Sequence, residues 1–313
     1  MADPVERQPA RRTDAVTLLE LTAGLRKALL ARGEILDAGW PEEAVADLRA
    51  GRVEGVTLRR GRDVEALGML SLRPQRGYGH AHVVGADGRV ELGRELLEAI
   101  AALAPPEVDR IDIGLTGLSP EEEDALVPII AGRPGFEAIR RLALTRTLEL
   151  DHPQEVPAIP PGLVLRTPRT LALGALGRLD WEAFRGSPDA EFVADTLEGN
   201  QRLIEAIFAG HLGRFLEEAS VALADEDGVP AGFVLVVEES PRVGVIVDLA
   251  VDPGHRRSGL GRFLLARALR ALVALGHARA RLWVTDSNAP ARALYASMQF
   301  APEARSYVYR WRR

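Results

Sequence analysis

The chain of 313 residues has no cysteine. That excludes disulfides, thiolate zinc sites and a cysteine nucleophile. No apolar run reaches the roughly 18 residues of a membrane span, so no membrane partner is expected. The opening MADPVERQPARRTD lacks an apolar segment and does not read as a secretory signal, and a cytoplasmic location is expected. Lysine is nearly missing: Lys27 is the only one among 39 basic residues. GC-rich coding explains so much arginine without phosphate recognition. Acidic residues number 45, the formal net charge is −6, and such a chain is a poor nucleic-acid partner.

What is present is a globular composition, 47% apolar, long enough for two domains of about 100–200 residues each. Residues 1–13 are polar and read as a disordered tail. The stretch DHPQEVPAIPPG, residues 151–162, carries four prolines and reads as a linker, since proline blocks helix and ladder alike. The parts on either side, 14–150 and 163–313, look like diverged copies. Gly68-Met-Leu-Ser-Leu and Gly232-Phe-Val-Leu-Val each follow a turn-rich segment and read as second strands of hairpins. GRELLEAI (93–100) parallels GRFLLARA (261–268), and Phe136 falls opposite Phe300, at offsets of 164 to 168 residues. Such a long period indicates a duplicated domain.

In the second half, spacing predicts strands at 163–166, 220–224, 232–237, 243–251, 280–285 and 306–311. Helices are expected at 171–184, about 196–215, 260–275 and 289–297, with Gly276 closing the third. Antiparallel strands with one strand–helix–strand crossover make an α/β (α+β) sheet domain.

The stretch VDLAVDPGHRRSGLGRFLLARALRAL (247–272) is a strand, a loop and a helix. A helix starting near Ser258 leaves its first amides unpaired and carries about half a positive charge there. Gly259 and Gly261 allow close approach to the backbone, and Arg256 and Arg257 add charge, so a phosphate or pyrophosphate is the expected ligand. From Gly254 the sixth residue is Gly259, but Leu260 and Gly261 stand where a P-loop needs Lys and Ser or Thr. From Gly259 and Gly261, Leu264 stands where a dinucleotide fingerprint needs glycine.

The remaining pattern, Arg256-x-x-Gly259-x-Gly261 after a strand ending Val-Asp-Pro, resembles the acetyl-coenzyme A signature of the GNAT superfamily of N-acetyltransferases. Leu249-Ala-Val-Asp-Pro253 resembles the family's fourth strand, which splays from its neighbour. Asn288-x-x-Ala291-x-x-Leu294-Tyr295 with Phe300 resembles its closing motif. Gln299 departs from the family's usual glycine. The resemblance covers about 163–313. It implies two GNAT-like domains, each a mixed, mostly antiparallel twisted sheet flanked by helices.

The resemblance further implies that Leu249, Ala250 and Val251 bond the pantetheine arm and that the amides from Arg257 through Ser258, Gly259, Leu260 and Gly261 to Arg262 surround the pyrophosphate, beside Arg256. It implies that Asn288 contacts the cofactor arm and that Tyr295 protonates the leaving thiolate. A base for the amine is also needed. Asp248, bracketed by apolar residues, is one candidate; Glu238 and Glu239 are others. An ordinary salt-bridged strand residue remains the alternative for Asp248, and a core aromatic for Tyr295.

The expected activity is acetyl (acyl) transfer from acetyl-CoA to a primary amine of a small molecule or peptide, without metal, by direct attack in a ternary complex. A non-catalytic acyl-CoA sensor or interaction module is the alternative, and a homodimer is left open. Glu182, Arg185, Asp189, Glu191 and Asp195, with Trp181 and Phe184, lie where such folds choose the acceptor; an acidic lining there would suit a cationic amine, and a solvated helix face explains the same residues. His80 and His82 share a strand face but lack a third ligand. His211 and His277 read as surface or helix-end residues.

For the first half, aligning the two glycine–arginine helices puts Glu91 opposite Gly259 and Gly88 opposite Arg256. A carboxylate would occupy the pyrophosphate position, and 118–136 lacks the Asn and Tyr. Residues 14–150 are therefore expected to keep the fold without binding coenzyme A.

Overall fold

The structure is a computed structural model describing residues 4–31, 39–73, 76–149, 155–193 and 196–313. The chain forms two compact units, Met1–Arg140 with Ser306–Arg313, and Arg141–Arg305.

Unit 1 runs β1 (Val5–Pro9), α1 (Ala15–Ala31), α2 (Trp40–Ala50), β2 (Glu54–Arg60), β3 (Asp63–Arg73), β4 (Arg76–Val83), α3 (Arg89–Ala102), β5 (Arg110–Thr116) and α4 (Pro120–Ala131). The expected tail thus contains a strand: Val5 to Pro9 pair antiparallel with Arg60 to Val56. The alternation that signals a strand is weak in so polar a segment, and the neighbouring edge of β2 supplies the pairing. Strand β6 (Phe136–Thr147) begins in this unit and continues into the other.

Unit 2 contains β7 (Val164–Arg166), α5 (Leu173–Phe184), α6 (Ala190–Val193), α7 (Leu197–Phe208), β8 (Arg214–Phe215), β9 (Val221–Ala224), β10 (Pro230–Ser240), β11 (Val243–Val251), α8 (Leu260–Ala274), β12 (Arg279–Thr285) and α9 (Ala289–Ser297). The final strand, β13 (Ala301–Arg312), begins here and ends in unit 1. The helix expected to reach 215 stops at Phe208: Gly210 and Gly213 both have φ beyond +80°, and Arg214 and Phe215 pair with β10 instead. Of the proline-rich linker, 151–154 lie outside the described residues, and 155–160 form no regular element.

Both units repeat one order of elements, as the duplicated pattern implies. The sheet of unit 1 is ordered β1-β2-β3-β4-β5-β13, and that of unit 2 is β7-β9-β10-β11-β12-β6. The crossover pairs β4–β5 and β11–β12 are parallel, and the rest are antiparallel. The exchange of last strands was not expected from sequence. Arg141 to Thr147 of β6 pair with Thr285 to Arg279, while Val308 to Arg312 of β13 pair with Gly114 to Arg110. The domain ends therefore differ from the expected 150 and 313.

Helices cover both faces of each sheet, the layering that lets strands be apolar on both sides. In unit 2, Leu260, Phe263, Leu264 and Leu272 of α8 pack on one face, and Leu176, Leu179 and Ile204 of α5 and α7 pack on the other. Every residue of β10 from Pro230 to Val237 is buried, as a central strand requires. In unit 1, α3 and α4 cover one face and α1 and α2 the other. No described helix is long and apolar enough to cross a membrane.

Candidate active site

Strand β11 changes partner half-way along. Against β12 it pairs only from Val243↔Arg279 to Val245↔Arg281. Against β10 it continues to Val251, with a register shift that leaves Val247 as an extra residue between Ile246 and Asp248. A bulge of this kind bends a strand and increases its twist. Beyond it, β12 runs on to Thr285 beside β6, so the β12-side edge of Asp248, Leu249, Ala250 and Val251 has no strand partner among the described residues.

The open edge leads to the start of α8. Asp252 accepts from the Gly254 amide (2.8 Å) and from His255 Nδ1 (3.1 Å), which fixes the turn after the strand. Arg257 (φ 62°) and Gly259 (φ 87°) then take left-handed conformations. Gly259 has nothing within 4 Å of a built Cβ, so its face is open. Among the described residues, no hydrogen bond engages the amides of Arg257, Ser258, Gly259, Leu260, Gly261 or Arg262. Six consecutive free amides at a helix start point donors at the space in front of the helix, a setting that favours an anion. The Arg256 guanidinium donates to the Ala183 carbonyl (2.5 Å), and that of Arg262 to the Ser297 carbonyl (3.0 Å). These bonds tie the loop to α5 and to α9. Leu294 Cδ2 lies 3.3 Å from a built Cβ on Gly261, so α8 and α9 approach closely there.

Tyr295 packs on α9 against Phe300, edge to face with centroids 6.1 Å apart. Its hydroxyl has no hydrogen-bond partner among the described residues. Burial raises its pKa, the Asp189 and Asp248 carboxylates raise it further, and the Arg141 cation opposes them. Asp248 is 4% exposed, and burial pushes its carboxyl up to about 7. Among the described residues it has no ion pair: its neighbour is the carboxyl of Asp180 on α5, fully buried and also raised by burial and by Asp248. The other candidate bases are engaged. Glu238 binds Arg214 (2.7 Å) and lies 3.2 Å from His277 Nε2, and Glu239 is held bidentate by Arg281 at 2.7 and 2.8 Å. His277 stands at the helix end as expected, yet is buried.

Asn288 caps α9, its Oδ1 accepting from the Ala291 amide (3.2 Å) while Nδ2 donates to Asp189 (2.6 Å). Both of its polar atoms thus have partners within the protein. Asp189 also accepts from the Thr285 amide (2.9 Å) and hydroxyl (2.6 Å) and pairs with Arg141. Arg141 lies 4.1 Å over the Phe192 ring. Asp189 is therefore a buried hub joining β6, β12 and α9, rather than part of an exposed acidic lining. Asp195 lies outside the described residues. Sequence reading missed Asp180, although it interrupts the apolar stripe Leu173, Leu176, Gly177 and Ala183 of α5. It also missed Arg141, which reaches the site only through the strand exchange and leaves no sequence signal.

Unit 1 lacks the open strand edge, although the amides from Ala86 to Glu91 at the start of α3 are as unpaired, among the described residues, as those before α8. Its crossover pair stays zipped, Arg76 to His82 pairing with Arg110 to Thr116, and His82 Nδ1 lies 2.9 Å from Thr116 Oγ1. Burial, with the nearby Arg89 cation, pushes His82 down to about 4. Gly117 (φ 90°) brings its backbone onto Val83, where a built Cβ would lie 2.0 Å from the carbonyl oxygen. Helix α3 begins after left-handed Gly88 as α8 begins after Gly259. This corrects the alignment: Gly88, not Glu91, is the counterpart of Gly259, and the loop from Val83 to α3 is shorter than that from Val251 to α8. Glu91 sits in the first turn of α3, paired with Arg94. Among the described residues no group of three or more His, Asp and Glu could hold a metal ion.

Residues 178–300, which include the bulged strand, the loop and Tyr295, match the family model described as the Acetyltransferase (GNAT) family. That stretch carries the pattern of the GNAT acetyltransferases. The GNAT fold itself runs through both units. A GCN5-related N-acetyltransferase from Sphaerobacter thermophilus superposes with a TM-score of 0.62 at 20% identity, covering 99% of this chain and 96% of that one. A tandem GNAT protein from the clavulanic acid biosynthesis pathway gives 0.60 at 19% identity, covering 99% and 98%. Among curated relatives, a mycothiol acetyltransferase from Frankia alni is 29% identical over 314 aligned positions, 91% of this chain and 90% of that protein. One from Beutenbergia cavernae is 42% identical over 80 residues, 26% of this chain and 27% of the relative.

Proposed function

We propose that this GNAT acetyltransferase transfers an acetyl group from acetyl-CoA to a primary amine of a small molecule or peptide by direct attack, with a single site in unit 2. The observation that carries this reading is the open edge of β11 leading to six unpaired amides, a combination unit 1 lacks. Amides 257–262 suit the pyrophosphate of coenzyme A. The β11 edge at Leu249, Ala250 and Val251 suits the amides of the pantetheine arm as an added strand, and it sets an amide near Leu249 to polarise the thioester carbonyl.

An alkyl amine has a pKa near about 10.4 and arrives protonated. Asp248 takes its proton, the freed nitrogen attacks the thioester carbon, and the carbon–sulfur bond breaks. Tyr295 donates its proton to the departing thiolate and recovers one from the nitrogen as the amide forms. Asn288, bound to Asp189, holds the start of the helix that carries Tyr295. Unit 1 keeps the fold as a support without a coenzyme A site.

The test is thiol release from acetyl-CoA across a panel of amines, with the acceptor of mycothiol acetyltransferase as one member. Tyr295→Phe should lose turnover while acetyl-CoA affinity persists. Thiol release from no amine by a protein that binds acetyl-CoA would refute catalysis. A second equivalent of bound acetyl-CoA would refute the single site.

A further inference from the structure

Asp180 and Asp248 meet beneath the bulge in a setting that packing alone does not explain. Asp180 is 0% exposed and Asp248 4%, and none of their four carboxyl oxygens has a hydrogen-bond partner among the described residues. Around them stand Leu176, Leu179, Ala183, Val245 and Ala250. No cation of α5, α7, α8, β10 or β12 offsets them. Asp180 is influenced by Asp248, Asp248 by Asp180 and the Leu249 amide, and Tyr295 on α9 is the other titratable group within range. Two ionised carboxylates cannot share so dry a place, and one of such a pair keeps its proton. An apolar residue at 180 would serve the helix stripe better than an acid.

We propose that Asp180 is a positioning residue for the base: it stays a neutral carboxylic acid against Asp248 throughout the cycle and leaves the pair one negative charge to take one proton from the incoming amine. This rests on the reading of Asp248 as base. The proton balance is simple. Asp248 passes from carboxylate to carboxylic acid as the ammonium becomes an amine, and then returns its proton to solvent. Asp180 neither gains nor loses one. Its role is to offer a donor to the ionised partner without adding a second charge, which keeps Asp248 ionisable while buried.

Infrared spectroscopy of the full-length resting protein at about pH 9, where Asp248 is ionised, reads the first half of this directly. A protonated-carboxyl stretch is expected in the wild type, retained in Asp248→Asn and lost in Asp180→Asn. Absence of that band from the wild type overturns the proposal whatever the enzyme's turnover. The pH profile of kcat/KM reads the second half. Asp180→Asn keeps a neutral donor and should leave the acidic limb in place. Asp180→Leu removes the donor and should move that limb up by about one pH unit or more. A folded Asp180→Asn protein without activity, or an Asp180→Leu protein with an unmoved limb, overturns it. Failure of the base reading alone looks different: Asp248→Asn would then turn over like the wild type while the infrared band remained.

Discussion

Replacing Asp248 by asparagine should stabilise the protein in a way that grows with pH. Burial raises the Asp248 carboxyl from 3.8 to about 7, and the Asp180 carboxyl beside it also lies above its ordinary value. Both folded values exceed the unfolded ones. The pair's contribution is therefore fully present below about pH 4 and is lost as pH climbs through about 7. A rise of about 3 units at about 1.36 kcal/mol each amounts to about 4 kcal/mol of lost stability at pH 8. Asparagine abolishes that loss but leaves a buried amide only partly paired by Asp180, at about 1–3 kcal/mol. The variant should be about 1–3 kcal/mol more stable than wild type at pH 8 and no more stable at pH 4. Urea unfolding followed by tryptophan fluorescence, with Trp181 and Trp283 reporting on unit 2, measures this across pH 4–8. Parallel curves for the two proteins would refute the account of the buried pair.

Other outcomes follow from single features elsewhere. Gln299 holds φ at 63°; Gln299→Gly should add about 1 kcal/mol and raise the melting temperature by about 2–4 °C in calorimetry. Gly117→Ala should cost about 3 kcal/mol or more, since its Cβ meets a backbone carbonyl at 2.0 Å, and hydrogen exchange should quicken in β4 and β5. Burial opposes ionisation of Asp112, yet Arg110 and Arg310 hold its pKa below the ordinary value. Asp112→Asn should lose about 3–5 kcal/mol by chemical denaturation at neutral pH, and in the wild type this contribution should fade as pH falls through the lowered value.

Much of unit 2 was legible because its signals are local. Val243–Val251 and Ala289–Ser297 have the bounds that alternation, proline and capping chemistry suggest, and the loop between β11 and α8 announces its amides through Gly259 and the charges around it. Gln299 stood out because the family pattern has glycine where this chain needs a left-handed residue. Legibility failed where structure depends on partners distant in sequence. Val5–Pro9 is a strand only because β2 offers an edge. The register of the two glycine–arginine helices misled because matching letters ignored a loop-length difference that the left-handed caps at Gly88 and Gly259 reveal. Asp180 was hidden among acidic residues of a surface-like segment until α5 turned it inward.

The traded last strands make the two halves of the gene inseparable. A break in the proline-rich stretch near residue 155 would give two fragments, each carrying a terminal ribbon that belongs to the other's sheet and each lacking its own closing member. Neither fragment is a finished domain, and the first half cannot be discarded: Arg141, which braces Asp189 beside Tyr295, is encoded in it.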